Sequence, residues 1–274
     1  VSAPTELLNF EHKPPPPGTA RQADLGAVVY REWALLARNR VYLILGLAPM
    51  LIYLLLVNTS LSNLVQTVEY KGLAVGFAVF LLPMTLGMSV VSAAGTSAMA
   101  IFQEEMSGVA TQLWSYPLRR SRFLMGKMIA GVSLVLGQSL LGLVAAVLIF
   151  EFPFDLEGWL ALLVTLALAS LAINGLYLAA AITVTDYQAF MVGSNLSLPV
   201  LVFSAPSMYT YDSMPTVLQW FSHVNPLTYA INGMRDASLF GFAEAGRDMA
   251  ILAVMAIVGY SIGGRALLNR ARNI

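Results

Sequence analysis

Residues 72–102 and 128–150 form two long apolar runs that contain no Asp, Glu, Lys or Arg, and the stretch QEEMSGVATQLWSYPLRRSRFLMGK at 103–127 separates them. Within that stretch Glu104, Glu105, Arg119, Arg120, Arg122 and Lys127 would each cost about 2.5–3.5 kcal/mol at the centre of a bilayer. The segment is therefore read as lying in water between two membrane spans. Phe102, Met106, Val109 and Leu113 fall at helical spacing, and Pro117 stops the helix. A short amphipathic helix tied to two spans and facing water implies a docking surface for another protein.

Composition supports a polytopic membrane protein. The chain is 58% hydrophobic and 11% charged, against about 25% charged in soluble domains. Its net charge is zero, so no long-range attraction to nucleic acid is expected. It has no cysteine, and its two histidines, His12 and His223, do not suffice for a metal cluster. No phosphate loop, H-E-x-x-H or G-x-S-x-G pattern occurs, and no catalytic or metal site is predicted.

Residues 1–20, with Pro14–Pro17, read as a disordered Pro-rich tail. Residues 1–40 hold no apolar signal-peptide core, so the first apolar run is read as a retained span. Residues 21–40 read as an amphipathic interfacial helix. Leu25, Val28, Val29, Trp33 and Leu36 share one face, while Asp24, Arg31 and Arg38 recur on the other. The alternative is a cytosolic extension of the first span.

Residues 41–274 are read as a six-span transmembrane domain. Span one is 41–57, and span two lies in 72–102, with Gly72-x-x-x-Gly76 as a close-packing face. Span three is 128–150 and span four lies within 158–185. Span five starts near Gln188 and is interrupted by Pro199 and Pro206. Span six is about 249–268, with Gly259-x-x-x-Gly263. This arrangement puts twelve Lys and Arg on one side and three, Lys71, Arg235 and Arg247, on the other. The asymmetry places both termini and the 103–127 segment in the cytoplasm.

Residues 204–236 read as a re-entrant outer segment. They are too polar for a lipid-facing span and too apolar for a plain loop. Two short helices broken around Asn225-Pro226 fit both facts, with Arg235 and Asp236 marking the return to water. His223 and Asn225 either bind a polar ligand group or satisfy backbone at the break. Asp186 is read as a helix cap rather than a proton-relay acid.

These residues resemble the membrane subunits of type-2 ABC exporters of the daunorubicin-resistance and nodulation-factor export kind. Glu104, Gly108, Gln112, Leu113, Pro117 and Leu118 stand in register with that family's motif, which this chain leaves at Glu105, Met106, Val109 and Thr111. Leu218-Gln219-Trp220, then Asn225-Pro226-Leu227-Thr228-Tyr229-Ala230 and Arg235, match a second motif. The resemblance implies an all-α permease with six transmembrane helices, an N-terminal interfacial helix, a cytoplasmic coupling helix after span two and a re-entrant outer segment between spans five and six. It implies docking on a separate ABC-type ATPase that carries Mg-ATP, and pairing with a second membrane subunit in a homodimer or heterodimer. It implies export of an amphipathic or lipid-like substrate, and a bacterial plasma membrane location. The expected coupling residues are Glu104, Glu105, Gly108, Gln112, Leu113, Trp114 and Pro117, helped by Arg31, Trp33 and Arg38 of the interfacial helix. The expected outer gate or substrate path is Pro206, Met208, Tyr209, Trp220, Phe221, Asn225, Pro226 and Tyr229. The competing reading is a secondary carrier or channel half not driven by ATP; the absence of charges inside the spans counts against it.

Overall fold

The computed structural model describes residues 66–106, 120–184 and 186–270, together with positions 26, 27, 29–31, 33, 34, 44, 48, 50–57 and 60. The Pro-rich tail, part of the first apolar run and residues 107–119 lie outside the described residues.

The first complete element is a β-hairpin. Strand β1, Thr67–Tyr70, pairs antiparallel with β2, Leu73–Gly76, with Tyr70 opposite Leu73 and Thr67 opposite Gly76. Lys71 and Gly72 form the turn at φ 48° and 80°. Positive φ at both central positions suits the right-handed twist of two short strands. Gly72 supplies it without strain, and Lys71 is the only non-glycine residue with positive φ among those described. The hairpin corrects the expectation for residues 72–76. They carry no charge, as a span would, yet Gly72 and Gly76 sit in a turn and a strand, and a Cβ at either would meet nothing within 4 Å. They are not a helix-packing face.

Helix α1, Phe77–Met106, follows directly. Then come α2, Arg120–Ile149; α3, Leu156–Thr183; α4, Tyr187–Phe203; α5, Thr216–Val224; α6, Pro226–Phe240; and α7, Phe242–Arg270. Four of these contain stretches long and apolar enough to cross a membrane: Phe77–Ala100, Met128–Ile149, Leu156–Thr183 and Phe242–Ala266. Helix α4 is apolar but has 17 residues, about 26 Å of rise. Of the six expected spans, four coincide with helices of spanning length; the fifth falls on the shorter α4, and the first on the 41–57 run, which has a π-helical turn at Tyr53–Val57.

Local sequence explains the ends. The Asp155 carboxylate caps α3 by accepting from Gly158 N at 2.7 Å, and Asp186 caps α4 by accepting from Gln188 N at 3.0 Å. The second contact is the capping role expected of Asp186. Pro199 does not interrupt α4, which runs through it to Phe203. A proline inside a helix removes one donor, and in an apolar helix neighbouring groups absorb that loss.

Helix α3 packs against α1, α2, α6 and α7, and α6 packs against α1, α3, α4 and α7. Residues Leu81, Leu86 and Val90 of α1 meet Leu162, Leu166 and Ile173 of α3, and Leu227, Ile231 and Met234 of α6, in one core. Of the apolar stretch of α1, 89% is buried inside the molecule, against 22% for α7. Helix α1 is thus enclosed and α7 is peripheral. The peripheral helix is held by close approach. A Cβ on Gly259 of α7 would lie 2.8 Å from Gly175 C and 2.9 Å from Leu176 N of α3, so the two backbones touch there. At Gly263, one turn on, the same atom would lie 3.6 Å from Ala179 Cα. Small residues at such crossings let packing replace the hydrophobic drive that lipid does not supply.

Two described residues before the hairpin seat on α2. Trp33 Nε1 donates to Ser133 Oγ at 2.9 Å, and fully buried Met50 packs on Gly142.

The helix ends sort into two groups. Val75, Val79 and Phe80 gather with Phe152 and Phe154, so the hairpin, the start of α1 and the α2–α3 loop share one end. Phe102 and Phe190, with centroids 5.0 Å apart, join α1 and α4 at the other.

Gly259→Ala is expected to lower the stability of the detergent-solubilised protein by about 1–3 kcal/mol, because the new methyl meets backbone. Gly263→Ala should change it by less than about 0.5 kcal/mol. Thermal melting of the two variants side by side checks this, and equal shifts would contradict the Gly175–Gly259 crossing.

Candidate functional site

Among the described residues the hairpin end holds the buried charges, next to a break between two helices. Helix α5 ends at Val224 and α6 starts at Pro226. Pro226 sits at the first helical position, where its missing N–H costs nothing. The Asn225 side chain serves both sides of the break. Its Oδ1 accepts from Leu227 N at 2.8 Å, which caps α6. Its Nδ2 donates to Leu201 O at 2.7 Å and Ser204 Oγ at 3.0 Å, which ties the break to the end of α4. The Tyr229 hydroxyl donates to His223 O at 2.6 Å, satisfying a terminal carbonyl of α5. Asn225 is therefore committed to backbone rather than free for a ligand.

Arg235 lies deeper, 1% exposed. Its Nη1 donates to Pro206 O at 3.1 Å, and its Nη2 donates to Ser207 O at 3.0 Å and Phe80 O at 3.3 Å. The guanidinium lies 3.8 Å from the centroid of the Phe80 ring and 5.3 Å from that of Tyr70. Its Nε is buried without a hydrogen-bond partner. One side chain thus joins α6, the start of α1 and the turn after α4.

The next residue supplies the opposite charge. Asp236 is 5% exposed. It accepts from the Tyr70 hydroxyl at 2.9 Å and pairs with Lys71 Nζ at 3.0 Å. Lys71 also reaches Glu244 of α7 at 3.4 Å. Burial, followed by the charge of Asp236, pushes the Tyr70 phenol well above its ordinary range. Burial alone would lower the Lys71 ammonium, but its hydrogen bonds and charge pairing with Asp236 and Glu244 outweigh that and raise it. Arg235 and Asp236 do not mark a return to water, as the sequence suggested. They are two buried charges adjacent in sequence: Arg235 is held by backbone carbonyls, and the hairpin brings the groups that neutralise Asp236.

Between the hairpin, the 206–211 turn, α6 and α7 lies a cavity of about 880 Å³. Lys71, Thr210, Asn232, Asp236, Arg247 and Asp248 are among its lining residues.

The expected outer-gate residues divide into three groups. Pro206, Asn225, Pro226 and Tyr229 belong to this network. Met208 packs against the main core, and the Tyr209 hydroxyl donates to Phe203 O at 2.6 Å. Trp220 and Phe221 point elsewhere: with Val217 and Val224 they form an exposed apolar stripe along α5. Of the expected coupling residues, Glu104 and Glu105 fall in the last turn of α1, and their side chains lie outside the described residues. Gly108, Gln112, Leu113, Trp114 and Pro117 lie wholly outside them, as does Arg38. Arg31 is at a helical position, and Trp33 bonds α2 as described above. Sequence reasoning missed Tyr70, Lys71, Phe80 and Ser207. The available signal was the adjacency of Arg235 and Asp236 within an otherwise charge-free stretch, which called for partners from elsewhere in the chain.

Asn225→Ala is expected to cost about 2 kcal/mol, the upper range for a lost N-cap, since the tie to α4 goes with it. His223→Ala, at an exposed ring that bonds Tyr211 at 3.1 Å, should cost less than about 0.5 kcal/mol. Thermal unfolding of the two variants tests the ranking. The stabilisation from Lys71, read as wild type minus Lys71→Met, should be constant below the ordinary lysine value of 10.5 and fade as pH rises beyond it. Melting curves across alkaline pH measure this.

The chain is 26% identical over 166 residues to an ABC transporter G family member 20 of Dictyostelium discoideum, covering 60% of this chain and 23% of that protein. It therefore spans under a quarter of the relative it matches. The long apolar helices describe a multi-pass membrane protein. The ABC-2 type transporter family matches residues 23–239, and this chain belongs to that family.

Proposed function

We propose that this chain is the membrane subunit of an ATP-driven exporter. It moves an amphipathic or lipid-like substrate, such as a drug, a glycolipid or a lipid-linked saccharide, out of the cytoplasm or the inner leaflet. The observation that carries this reading is the extent of the family match, residues 23–239, which takes in both the charged 103–127 segment and the 204–236 region.

On this reading the chain makes six spans in a bacterial plasma membrane with both termini in the cytoplasm. Residues 21–40 form the interfacial helix. Residues 103–127 dock on a separate ABC-type ATPase, where Mg-ATP binds. Glu104, Glu105, Gly108, Gln112, Leu113, Trp114 and Pro117 receive its movement, and Arg31, Trp33 and Arg38 flank the contact. A second membrane subunit, identical or related, completes the pathway. The hairpin end then faces outward, and residues 204–236 form its gate. The short helix α5, with its exposed stripe of Val217, Trp220, Phe221 and Val224, suits a position in the outer leaflet, because an apolar stripe opposite polar groups seats at that boundary.

Replacing Leu113 and Trp114 with charged residues is expected to uncouple ATP hydrolysis from transport while leaving the spans folded. Normal substrate-stimulated hydrolysis by that variant would contradict docking at 103–127. Single cysteines at Ser62 and Thr210 should react with an impermeant reagent from outside the cell, and one at Ser121 should not. The reverse labelling would overturn the orientation.

A further inference from the structure

Lys71 occupies an unusual position. It is held at positive φ in the hairpin turn, and its ammonium joins two acids on two different helices, Asp236 of α6 at 3.0 Å and Glu244 of α7 at 3.4 Å. These contacts are unequal. Glu244 is exposed, and an exposed pair contributes little. The Asp236 side chain is 7% exposed, and removing its cation leaves a buried charge without compensation. The neighbouring Tyr70 hydroxyl holds the other oxygen of the same carboxylate. Two successive hairpin residues therefore neutralise the acid that follows Arg235.

Arg235 in turn carries the 206–207 turn on its Nη atoms. Its buried Nε has no partner, so the observed arrangement leaves one donor unsatisfied. Arg235 and Pro206 both line the cavity of about 880 Å³ beneath the hairpin, which gives the guanidinium and the 206–207 turn room to move.

We propose that Lys71 is a positioning residue for substrate release, acting through Asp236 and Arg235: the hairpin is a strap across the outer end, and the 206–207 turn shifts when the strap lifts. This rests on the exporter reading for its link to transport. The strap itself is a property of the chain and is tested separately.

The chain has no cysteine, so a single Ser207→Cys gives a clean reporter. Ser207 is 1% exposed, and in the full-length protein in vesicles it should react slowly with an impermeant maleimide. Adding Lys71→Met should raise that rate by about tenfold or more, because the reagent reads opening of the local structure. Lys71→Arg should restore it to within about threefold, and Glu244→Gln should change it by less than about twofold, as for an exposed pair. A cysteine at fully buried Ser170 of α3 should stay slow in all backgrounds, which separates strap opening from unfolding. An unchanged rate in Lys71→Met, or Lys71→Arg as fast as Lys71→Met, overturns the strap. With the ATPase that copurifies with the full chain, Lys71→Met should lower substrate moved per ATP hydrolysed, with Lys71→Arg restoring it. Labelling as expected with an unchanged ratio overturns the role in release. Failure to capture any ATPase counts against the exporter reading and leaves the labelling result standing.

Discussion

A guanidinium that is 1% exposed is the constraint on which the hairpin end depends. Moving an ion of that size out of water costs several kcal/mol even after the protein relaxes. Arg235 offsets that cost with three backbone carbonyls and an aromatic face, drawn from positions 29, 28 and 155 residues away for the hydrogen bonds. Those carbonyls must be where they are, so the turn after α4 and the first turn of α1 are fixed relative to α6. Asp236 then needs its own partners, and only the hairpin brings them. One buried cation thus ties together α6, the start of α1 and the turn after α4, and its neighbour Asp236 adds the hairpin.

The rest of the molecule follows a different rule. In lipid, neighbouring helices gain little from hiding apolar surface, so association rests on close packing. Gly175 and Gly259 bring α3 and α7 into backbone contact. Helix α1 is enclosed by its neighbours while little of α7 is fully buried. The polar end sets position, and the apolar body sets separation.

Much of this was legible from residues alone. Charge-free runs and their polar interruptions located the long helices, since charge cost is a local property of composition. The break at Asn225-Pro226 was legible because a cap and a first-turn proline are local signals. The hairpin was not: its second strand is as apolar as a span, its first reads as a polar loop, and its turn uses Lys-Gly rather than the Asn-Gly or Asp-Gly that normally announces one. The burial of Arg235 and Asp236 was not legible either, because their partners lie far off in sequence and charge alone argues for water. Pro199 misled for the converse reason, since a strong local breaker was overruled by its apolar surroundings. The motif at 103–127 was legible as a pattern, and its side chains fall outside the described residues.

Helix α1 begins one residue after the hairpin and ends within the 103–127 segment, so a single element reaches both polar regions. Its 30 residues span about 45 Å, half again the thickness of a hydrocarbon core of about 30 Å. Phe80 sits near one tip of that rod, about 17 Å from its midpoint at 1.5 Å per residue. A tilt of about 5° around the midpoint would carry the Phe80 carbonyl about 1.5 Å, which by the usual distance limits is enough to break a hydrogen bond. The 3.3 Å contact to Arg235 is thus a sensitive gauge of where the far end of α1 stands.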